Sequence, residues 1–131
     1  MNMDLSSIKW ETRFEIGHKR IDFEHMIFFD LVMTLKDCLK GKGDLARADR
    51  ILNEIIMYAQ FHFVSEENIM EEVDYPDLAT HRELHADLID SFNNKLVAGD
   101  LDALLAFLLD WFVKHTSIED KKIAAFVAAV A

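Results

Sequence analysis

The amino-acid sequence predicts an all-α fold: an up-down-up-down antiparallel four-helix bundle with an N-terminal arm, in a single domain of residues 1–131. Glycine and proline are scarce, with four and one among 131 residues, whereas a β-sandwich or barrel needs many turns. Apolar residues make up 51% of the chain and recur with helical spacing in four long stretches. Because the connections between these stretches are short, neighbouring helices should run antiparallel.

The chain begins with a segment without sustained periodicity, residues 1 to about 18, which we interpret as an ordered arm lying over the bundle. Trp10 and Phe14 are the expected anchors of this arm, and Gly17 is expected to form a turn before the first helix. His18 is interpreted as a surface residue or as a residue that supports a ligand from behind.

The first helix is predicted over about 19–40, because Gly41 and Gly43 follow it. Asp22 is expected to cap the start of this helix rather than to orient a ligand, and Cys38 to be a small apolar filler. The positions with helical spacing are Ile21, His25, Phe28, Phe29, Val32, Leu35 and Leu39.

Three further helices are predicted over about 44–72, 77–97 and 100–129. Asp44 is a suitable N-cap for the second helix, Pro76 suits the first position of the third, and glycine at position 99 ends the third. The positions expected to face inward on these helices are Leu45, Ile51, Leu52, Ile55, Ile56, Ala59, His62, Glu66, Leu84, Leu88, Ile89, Phe92, Leu101, Leu104, Leu105, Leu108, Trp111, Phe112, His115 and Ile118.

The composition excludes several classes of partner and site. The net charge is −10 at pH 7, and so acidic a chain repels phosphate groups, which argues against nucleic acid and anionic membrane surfaces as partners. Cys38 is the only cysteine, so neither a disulfide framework nor a multi-thiolate metal site is expected. We find no signal peptide and no apolar stretch long enough to span a bilayer. We therefore expect a cytoplasmic monomer without membrane insertion.

The histidines form the main chemical signal. Five of the six fall on the inward stripe of a predicted helix, with at least one on each of the four helices. One buried imidazole without a partner costs about 1–3 kcal/mol and would be interpreted as a hydrogen-bonded core residue. Five in one small core are better explained by a metal site, which binds several neutral imidazoles and carboxylates. The five are His25, His62, His81, His85 and His115.

The spacing of these residues strengthens the metal hypothesis. His62 and Glu66 are four apart in the stretch YAQFHFVSEENIM, so both project from one helix face. Alone, this pair would be interpreted as a surface His–Glu pair. His81 and His85 repeat the four-residue spacing as a chelating pair on the third helix.

His115 and Asp120 are five apart, which on a regular α-helix separates their directions by about 140°. If both side chains face the core, the fourth helix must contain a π-bulge or a similar distortion. Such bulges are frequent at functional sites, so we predict one here.

Five imidazoles and two carboxylates are too many for one ion. Two six-coordinate ions that share both carboxylates and a small oxygen ligand use all seven side chains and keep one position open. Carboxylate-rich oxygenase and ferritin-like sites instead use two Glu-x-x-His motifs, and this chain has one, Glu15 to His18, in the arm. The sequence therefore favours ligand binding over oxygen activation, and we do not expect an enzyme.

From Trp10 to Asp120 the chain resembles the hemerythrin family, particularly its single-domain bacterial members. The matching pieces are the arm with its Trp, Phe and Gly, then IDFEH, HFVSEE, HRELH and HTSIED, in that order. The resemblance implies two Fe ions, Fe²⁺ in the deoxy form and Fe³⁺ in the oxy or met form, with a bridging oxo or hydroxo group. It assigns one saturated iron to His81, His85 and His115, an iron with an open position to His25 and His62, and the bridges to Glu66 and Asp120.

The function implied by the resemblance is reversible O2 binding for transport, storage or delivery to an oxygen-consuming enzyme, an oxygenase or oxidase. Oxygen or redox sensing, and iron or nitric oxide handling at the same site, remain open alternatives. The O2 pocket is expected to be lined by Phe63, Trp111, Phe112 and Thr116. Thr116 departs from the apolar residue usual after the ligand histidine in this family, which changes the expected polarity of the pocket.

Overall fold

The structure, a computed structural model, describes residues 10–40 and 43–131. All regular elements in this part of the chain are helical, which confirms the predicted all-α class. α4, a π-helical segment and α5 follow one another without a break and form one long fourth helix. The elements are α1 (Lys19–Cys38), α2 (Leu45–Glu72), α3 (Leu78–Ala98), α4 (Leu101–Lys114), the π segment (His115–Asp120) and α5 (Lys121–Val130).

Side chains cap the starts of α1, α2 and α4. The His18 Nδ1 atom accepts a hydrogen bond from the backbone N–H of residue 21 at 3.3 Å. The carboxylates of Asp44 and Asp100 each accept from the backbone N–H three residues later at 3.0 Å. These caps satisfy N–H groups that the first helical turn leaves free, and they confirm the predicted N-cap at Asp44.

The first helix is shorter than predicted, because it ends at Cys38 rather than at about residue 40. The N–H of Leu39 bonds to a carbonyl three residues earlier, and the N–H of Asp44 reaches the Cys38 carbonyl at 2.7 Å. These bonds turn the chain towards α2 before a further helical turn can form. Gly41 lies outside the described residues, and Gly43, with a φ of 71°, lies in the loop.

The start of the third helix also differs from the prediction. Asp77 is the residue that precedes α3, so Pro76 lies before the helix and not at its first position. The preceding turn places Asp74 at a φ of 54° and bonds the N–H of Tyr75 to the Met70 carbonyl at 2.9 Å. At the other end, glycine 99 has a φ of 80° and ends the helix as predicted.

The segment before α1 packs on the helices through aromatic rings. Phe14 is fully buried, and the Trp10 ring lies 5.5 Å from the ring of Phe14 and 5.8 Å from that of Phe29. The Asp22 carboxylate accepts hydrogen bonds from the backbone N–H groups of residues 16–17 at 2.7 and 3.2 Å. The prediction that Asp22 caps α1 is therefore wrong, since it fastens the preceding segment instead.

The helices pack in a ring, with α1 and α3 each contacting α2 and α4. Their apolar side chains form two clusters, and Cys38 lies in the larger one, as predicted for a filler. None of the described helices combines the length and the apolarity that crossing a bilayer requires. The smaller cluster contains Ile21, Met70, Tyr75 and Ile123, and the larger one includes Phe28, Leu35, Ile55, Ala59, Leu88, Phe92, Leu108 and Phe112.

Two residues predicted to face inward are exposed. Leu45, at 63% exposure, is the first residue of α2 and lies beyond the end of the core. Ile118, at 55% exposure, lies in the π segment, where the extra residue in the turn rotates it away from the direction expected for an α-helix.

Candidate metal centre

The structure brings all seven predicted ligands together inside the bundle. None of them is more than 6% exposed. The four-residue spacings on α2 and α3 direct both members of each pair inward, as helical periodicity requires. The seven are His25 on α1, His62 and Glu66 on α2, His81 and His85 on α3, and His115 and Asp120 on the π segment.

The side chains form two groups that share a carboxylate. In each group the ligand atoms all lie within 4.8 Å of one another. Glu66 belongs to both groups, so the two groups are adjacent. The first contains Glu66, His81, His85 and His115, and the second contains His25, His62, Glu66 and Asp120.

Glu66 presents its two oxygens to different histidines. Its Oε1 atom lies 2.6 Å from Nε2 of His81 and 3.2 Å from Nε2 of His85. Its Oε2 atom lies 3.2 Å from Nε2 of His62 and 3.8 Å from Nε2 of His25. One carboxylate therefore faces both groups at once.

Asp120 divides its oxygens in the same way. Its Oδ1 atom lies 3.0 Å from Nε2 of His115 and 3.2 Å from Nε2 of His81. Its Oδ2 atom lies 3.1 Å from Nε2 of His25. The two carboxylates thus link the same two sets of imidazoles.

The π segment explains how His115 and Asp120 reach the same centre. It spans these two residues and confirms the predicted distortion of the fourth helix. Its i→i+5 hydrogen bonding adds a residue to the turn, so side chains five apart project in similar directions. The local backbone therefore supplies two ligands that a regular α-helix would have separated.

The cluster fits a pair of cations. Several atoms of the cluster are buried and have no hydrogen-bond partner among the described residues. They are Oε2 of Glu66, both carboxylate oxygens of Asp120 and Nε2 of His115. Buried polar atoms are nearly always paired, so unpaired atoms directed at one another indicate a missing common partner. Imidazole and carboxylate suit first-row metals, and ligands with bonds of about 2.1 Å at right angles lie about 3 Å apart.

Glu24 supports the centre from behind, and the sequence analysis missed it. Its carboxylate accepts from Nδ1 of His62 at 2.7 Å, from the Ser65 hydroxyl at 2.9 Å and from Arg20 at 3.1 Å. The sequence could have indicated this role, because Glu24 is an acidic residue beside the inward-facing positions of α1. A buried carboxylate there needs a hydrogen-bond partner. By holding the proton on Nδ1, Glu24 directs the Nε2 lone pair of His62 to the centre.

Glu67, which was also missed, acts in the same way on the other group. Its Oε2 atom lies 3.0 Å from Nδ1 of His85, and its Oε1 atom accepts from Arg82 at 3.1 Å. A carboxylate thus fixes one histidine in each group. Such partners orient a ligand ring and increase its basicity.

The electrostatics of the centre are those of imidazoles surrounded by carboxylates. Burial lowers the pKa of His62, but the hydrogen bond to Glu24 and the nearby Glu66 carboxylate outweigh it and raise the pKa to about 9. Burial likewise opposes protonation of His81, but the nearby Asp120 and Glu66 carboxylates favour it and raise its pKa to about 9. Burial raises the pKa of Glu66, but hydrogen bonds from the imidazoles hold it well below its ordinary value. A metal ion therefore has to displace protons as it binds.

A narrow cavity lies beside the second group, against His25 and His62. It leaves ≈ 10 Å³ for the centre of a water-sized molecule, enough for about one water or one diatomic ligand. All four residues predicted for the pocket lie in its wall. The remaining lining residues are Phe28, Ala59, Phe63, Trp111, Phe112 and Thr116.

Aromatic rings of this wall also stack on ligands of the first group. The Phe63 ring lies 3.9 Å from the ring of His85 and nearly parallel to it. The Trp111 ring stacks on His115 at 4.4 Å. These contacts restrict the rotation of the imidazoles and separate the first group from the cavity.

The chain matches the family model for the hemerythrin HHE cation binding domain over residues 17–127. It belongs to the hemerythrin family. A bacteriohemerythrin from Clostridium acetobutylicum is 31% identical over 123 residues, which cover 86% of this chain and 95% of that protein. A bacteriohemerythrin from Pseudomonas aeruginosa is 27% identical over 131 residues, which cover 96% of this chain and 83% of that protein. A myohemerythrin from Theromyzon tessulatum is 24% identical over 114 residues, which cover 87% of this chain and 88% of that protein.

Family membership and the buried cluster point to the same general chemistry. Hemerythrins bind O2 at non-haem iron, and they are generally O2 binders rather than enzymes. This hemerythrin carries the imidazole and carboxylate groups that iron binding requires. It is therefore a non-haem iron protein that binds O2.

Proposed function

We propose that this hemerythrin binds O2 reversibly at a di-iron centre and serves in O2 transport, storage or delivery to an oxygenase or oxidase. The observation that carries the proposal is the division of the carboxylate oxygens. Glu66 and Asp120 each present one oxygen to each histidine group. Two carboxylates arranged in this way can bridge two ions, whereas a single ion would use only one side of each.

The two groups differ in the number of histidines, which favours different roles. His81, His85 and His115 would complete the coordination of one iron together with the bridges. His25 and His62 would hold the other iron, which has one protein ligand fewer. The cavity lies against these two histidines, so an exogenous ligand in the cavity would be next to the open position.

When bound, the two irons and their bridging oxo or hydroxo group supply the reversible two-electron exchange with O2, between Fe²⁺ and Fe³⁺. The chain fixes the ligand rings through Glu24 and Glu67. Phe28, Phe63 and Phe112 keep bulk water and protons away from the ligand, because an apolar wall offers them no hydrogen bonds.

The same proposal includes the up-down-up-down order of the helices and an N-terminal arm. Along α1 the chain passes Ile21 of the smaller apolar cluster, then a ligand, then Phe28 of the larger one. Along α2 the order reverses, from Ala59 of the larger cluster through the ligands to Met70 of the smaller one. Helix α3 has the order of α1, and the fourth helix has the order of α2. This alternation supports antiparallel neighbours, and the burial of Phe14 supports the arm.

The proposal is tested on protein reduced anaerobically and loaded with Fe²⁺. Iron content is measured first, with two ions per chain expected. Visible absorption is then recorded before air, after air and after argon, and a band that appears with O2 and disappears with argon is expected. A persistent band with released peroxide would instead favour a redox sensor. Failure to bind iron would contradict the ligand assignment.

A matched pair of variants sharpens the test. His25→Leu removes a ligand beside the cavity, and His18→Gln changes a histidine that lies outside the centre. We expect the O2-dependent band to be lost in the first variant and kept in the second. Equal O2 responses in both variants would contradict the placement of the open position.

A further inference from the structure

The cavity beside His25 and His62 has one hydroxyl group in its wall, that of Thr116. Thr116 is 1% exposed, and no described residue forms a hydrogen bond with its hydroxyl. The other lining side chains are apolar or aromatic, apart from the two imidazoles. The Nε2 atoms of these imidazoles face Asp120 and Glu66 at 3.1 and 3.2 Å, so they are directed at the metal centre.

A threonine in a helix usually has a partner within its own backbone. Thr34 shows this arrangement, since its hydroxyl donates to the Asp30 carbonyl at 2.9 Å. Thr116 lies in the π segment, and no such bond to a described residue is formed by its hydroxyl. Its hydroxyl is therefore a buried donor without a partner among residues 10–40 and 43–131.

The hydroxyl also keeps a small open surface, and its residue lines the cavity. Nδ1 of His25 is another unpaired polar atom nearby, but it is fully enclosed by neighbouring atoms. The Thr116 hydroxyl has no partner among the described residues and is not one of the fully enclosed unpaired atoms, which implies that part of its surface is open. A small molecule in the cavity is the group that can receive its hydrogen bond.

We propose that Thr116 is a selectivity residue of the cavity, which favours small anionic or hydrogen-bond-accepting ligands over apolar ligands of the same size. The inference rests on the proposed di-iron function, because the ligand occupies the open position beside His25 and His62. The Thr116 hydroxyl donates a hydrogen bond to the ligand atom nearest the wall. Valine at this position would keep the shape of the cavity and remove the donor.

The first experiment measures azide binding to the iron-loaded ferric protein by visible absorption, after the iron content has been determined. We expect Thr116→Val to weaken azide binding about 10-fold or more, as loss of a hydrogen bond to a charged group does. Thr116→Ser keeps the donor and should stay within about 3-fold of the parent protein. The infrared stretch of bound azide should shift in the valine variant and not in the serine variant.

The second experiment uses metal-free protein, so it does not depend on the di-iron function. If the hydroxyl is unpaired, Thr116→Val should unfold at the same or a higher temperature than the parent. A clear loss of stability would reveal a backbone partner and overturn the inference. Equal azide affinities of the parent and valine proteins at two irons per chain would overturn it as well. Failure of the parent to bind iron would instead refute the proposed function, while the metal-free comparison would still decide whether the hydroxyl is free.

Discussion

The imidazole of His62 is held from both sides by carboxylates. Its Nδ1 atom lies 2.7 Å from Glu24, and its Nε2 atom lies 3.2 Å from Glu66. Glu24 is itself fixed by Ser65 and Arg20, so its position does not depend on a single contact. The orientation of this candidate metal ligand is thus fixed in part by residues outside the candidate metal centre.

We expect Glu24→Gln to lower the affinity for iron about 10- to 100-fold, the usual effect of removing such a partner. Glutamine can still form a hydrogen bond, but it lacks the negative charge that holds the proton on Nδ1 of His62. The measurement is competition with a chelator of known affinity. Glu54→Gln, an exposed change on the same helix as His62, should bind iron like the parent. Equal affinities in the two variants would contradict the role of Glu24.

The stability of the metal-free protein should fall as the pH rises from 6.5 to 9. The pKa of His62 is raised to about 9 from an ordinary value of 6.5, so its protonated form stabilises the fold below pH 6.5. This contribution, on the order of 3 kcal/mol, is lost as the pH rises through 9. The pKa of Glu66 is lowered, so its contribution is instead lost in acid, below its ordinary value of 4.5.

Urea unfolding at pH 6 and pH 9 measures this difference. With saturating Zn²⁺ the pH dependence should shrink or reverse, because the metal binds neutral imidazoles and is favoured at high pH. The His62→Gln variant should lose part of the dependence seen without metal. A metal-free protein equally stable at both pH values would rule out the coupling between His62 and the carboxylates.

The π segment is the element on which the centre depends most. It carries two ligands, His115 and Asp120, and also the hydroxyl of Thr116 in the cavity wall. A π turn contains one residue more than an α turn, and the helix continues in phase on both sides of it. The extra residue therefore alters side-chain directions locally without disturbing the packing of α4 and α5.

Deletion of Ser117 should leave the bundle folded, because it restores α-helical bonding and keeps α5 in phase with α4. The free energy of unfolding of the metal-free protein should change by less than about 1 kcal/mol. Deletion of Ala106 in the regular part of α4 rotates everything after it by about 100° and should cost more than about 4 kcal/mol. Circular dichroism with urea unfolding compares the two. An equal loss of unfolding free energy in both deletion variants would contradict the idea that the extra residue leaves α4 and α5 in phase.

At the scale of the whole molecule, the centre connects every helix of the bundle. The ligands lie between the two apolar clusters, and they come from α1, α2, α3 and the π segment. Five imidazoles and two carboxylates occupy space that apolar side chains would otherwise fill. Bound metal should therefore contribute strongly to the stability of the folded protein, because it binds the folded chain and not the unfolded one.

Iron removal should lower the stability of the protein by about 4 kcal/mol when the free metal concentration had been about 1,000 times its Kd. This corresponds to a fall in Tm of more than about 10 °C for a chain of this size. Thermal unfolding of anaerobic protein with Fe²⁺ and with excess chelator measures the change. In the Glu66→Gln variant, the thermal unfolding curves with Fe²⁺ and with chelator should lie much closer together. An equal metal effect in that variant would show that Glu66 does not join the two sites.

Helical periodicity and ligand chemistry are local properties, so the sequence alone could predict that these side chains share one buried cluster. The four-residue spacings alone place His62 with Glu66, and His81 with His85, on common helix faces. The five-residue spacing from His115 to Asp120 predicted a distortion, since the two could share a centre only if the helix deviated from 3.6 residues per turn. All seven residues lie in the buried cluster.

Other features depended on contacts between distant parts of the chain. Glu24 becomes a partner of His62 only because α1 packs on α2, and no spacing within either helix shows that contact. Asp22 was assigned to a cap, but the preceding segment supplies its N–H partners. The exposure of Leu45 could not be read from its helical position, because the length of the core sets where burial ends.

The sequence by itself determined the helical class, the seven candidate ligands and the need for a distorted fourth helix, because each follows from residue types and their spacing along one helix. Only the tertiary structure decided how the carboxylate oxygens divide between two groups, which carboxylates support the histidines, and where the cavity lies. Those features are distances between atoms of different helices, and packing sets them. The position of Thr116 beside the cavity belongs to the second kind, because residues from several helices form the cavity wall.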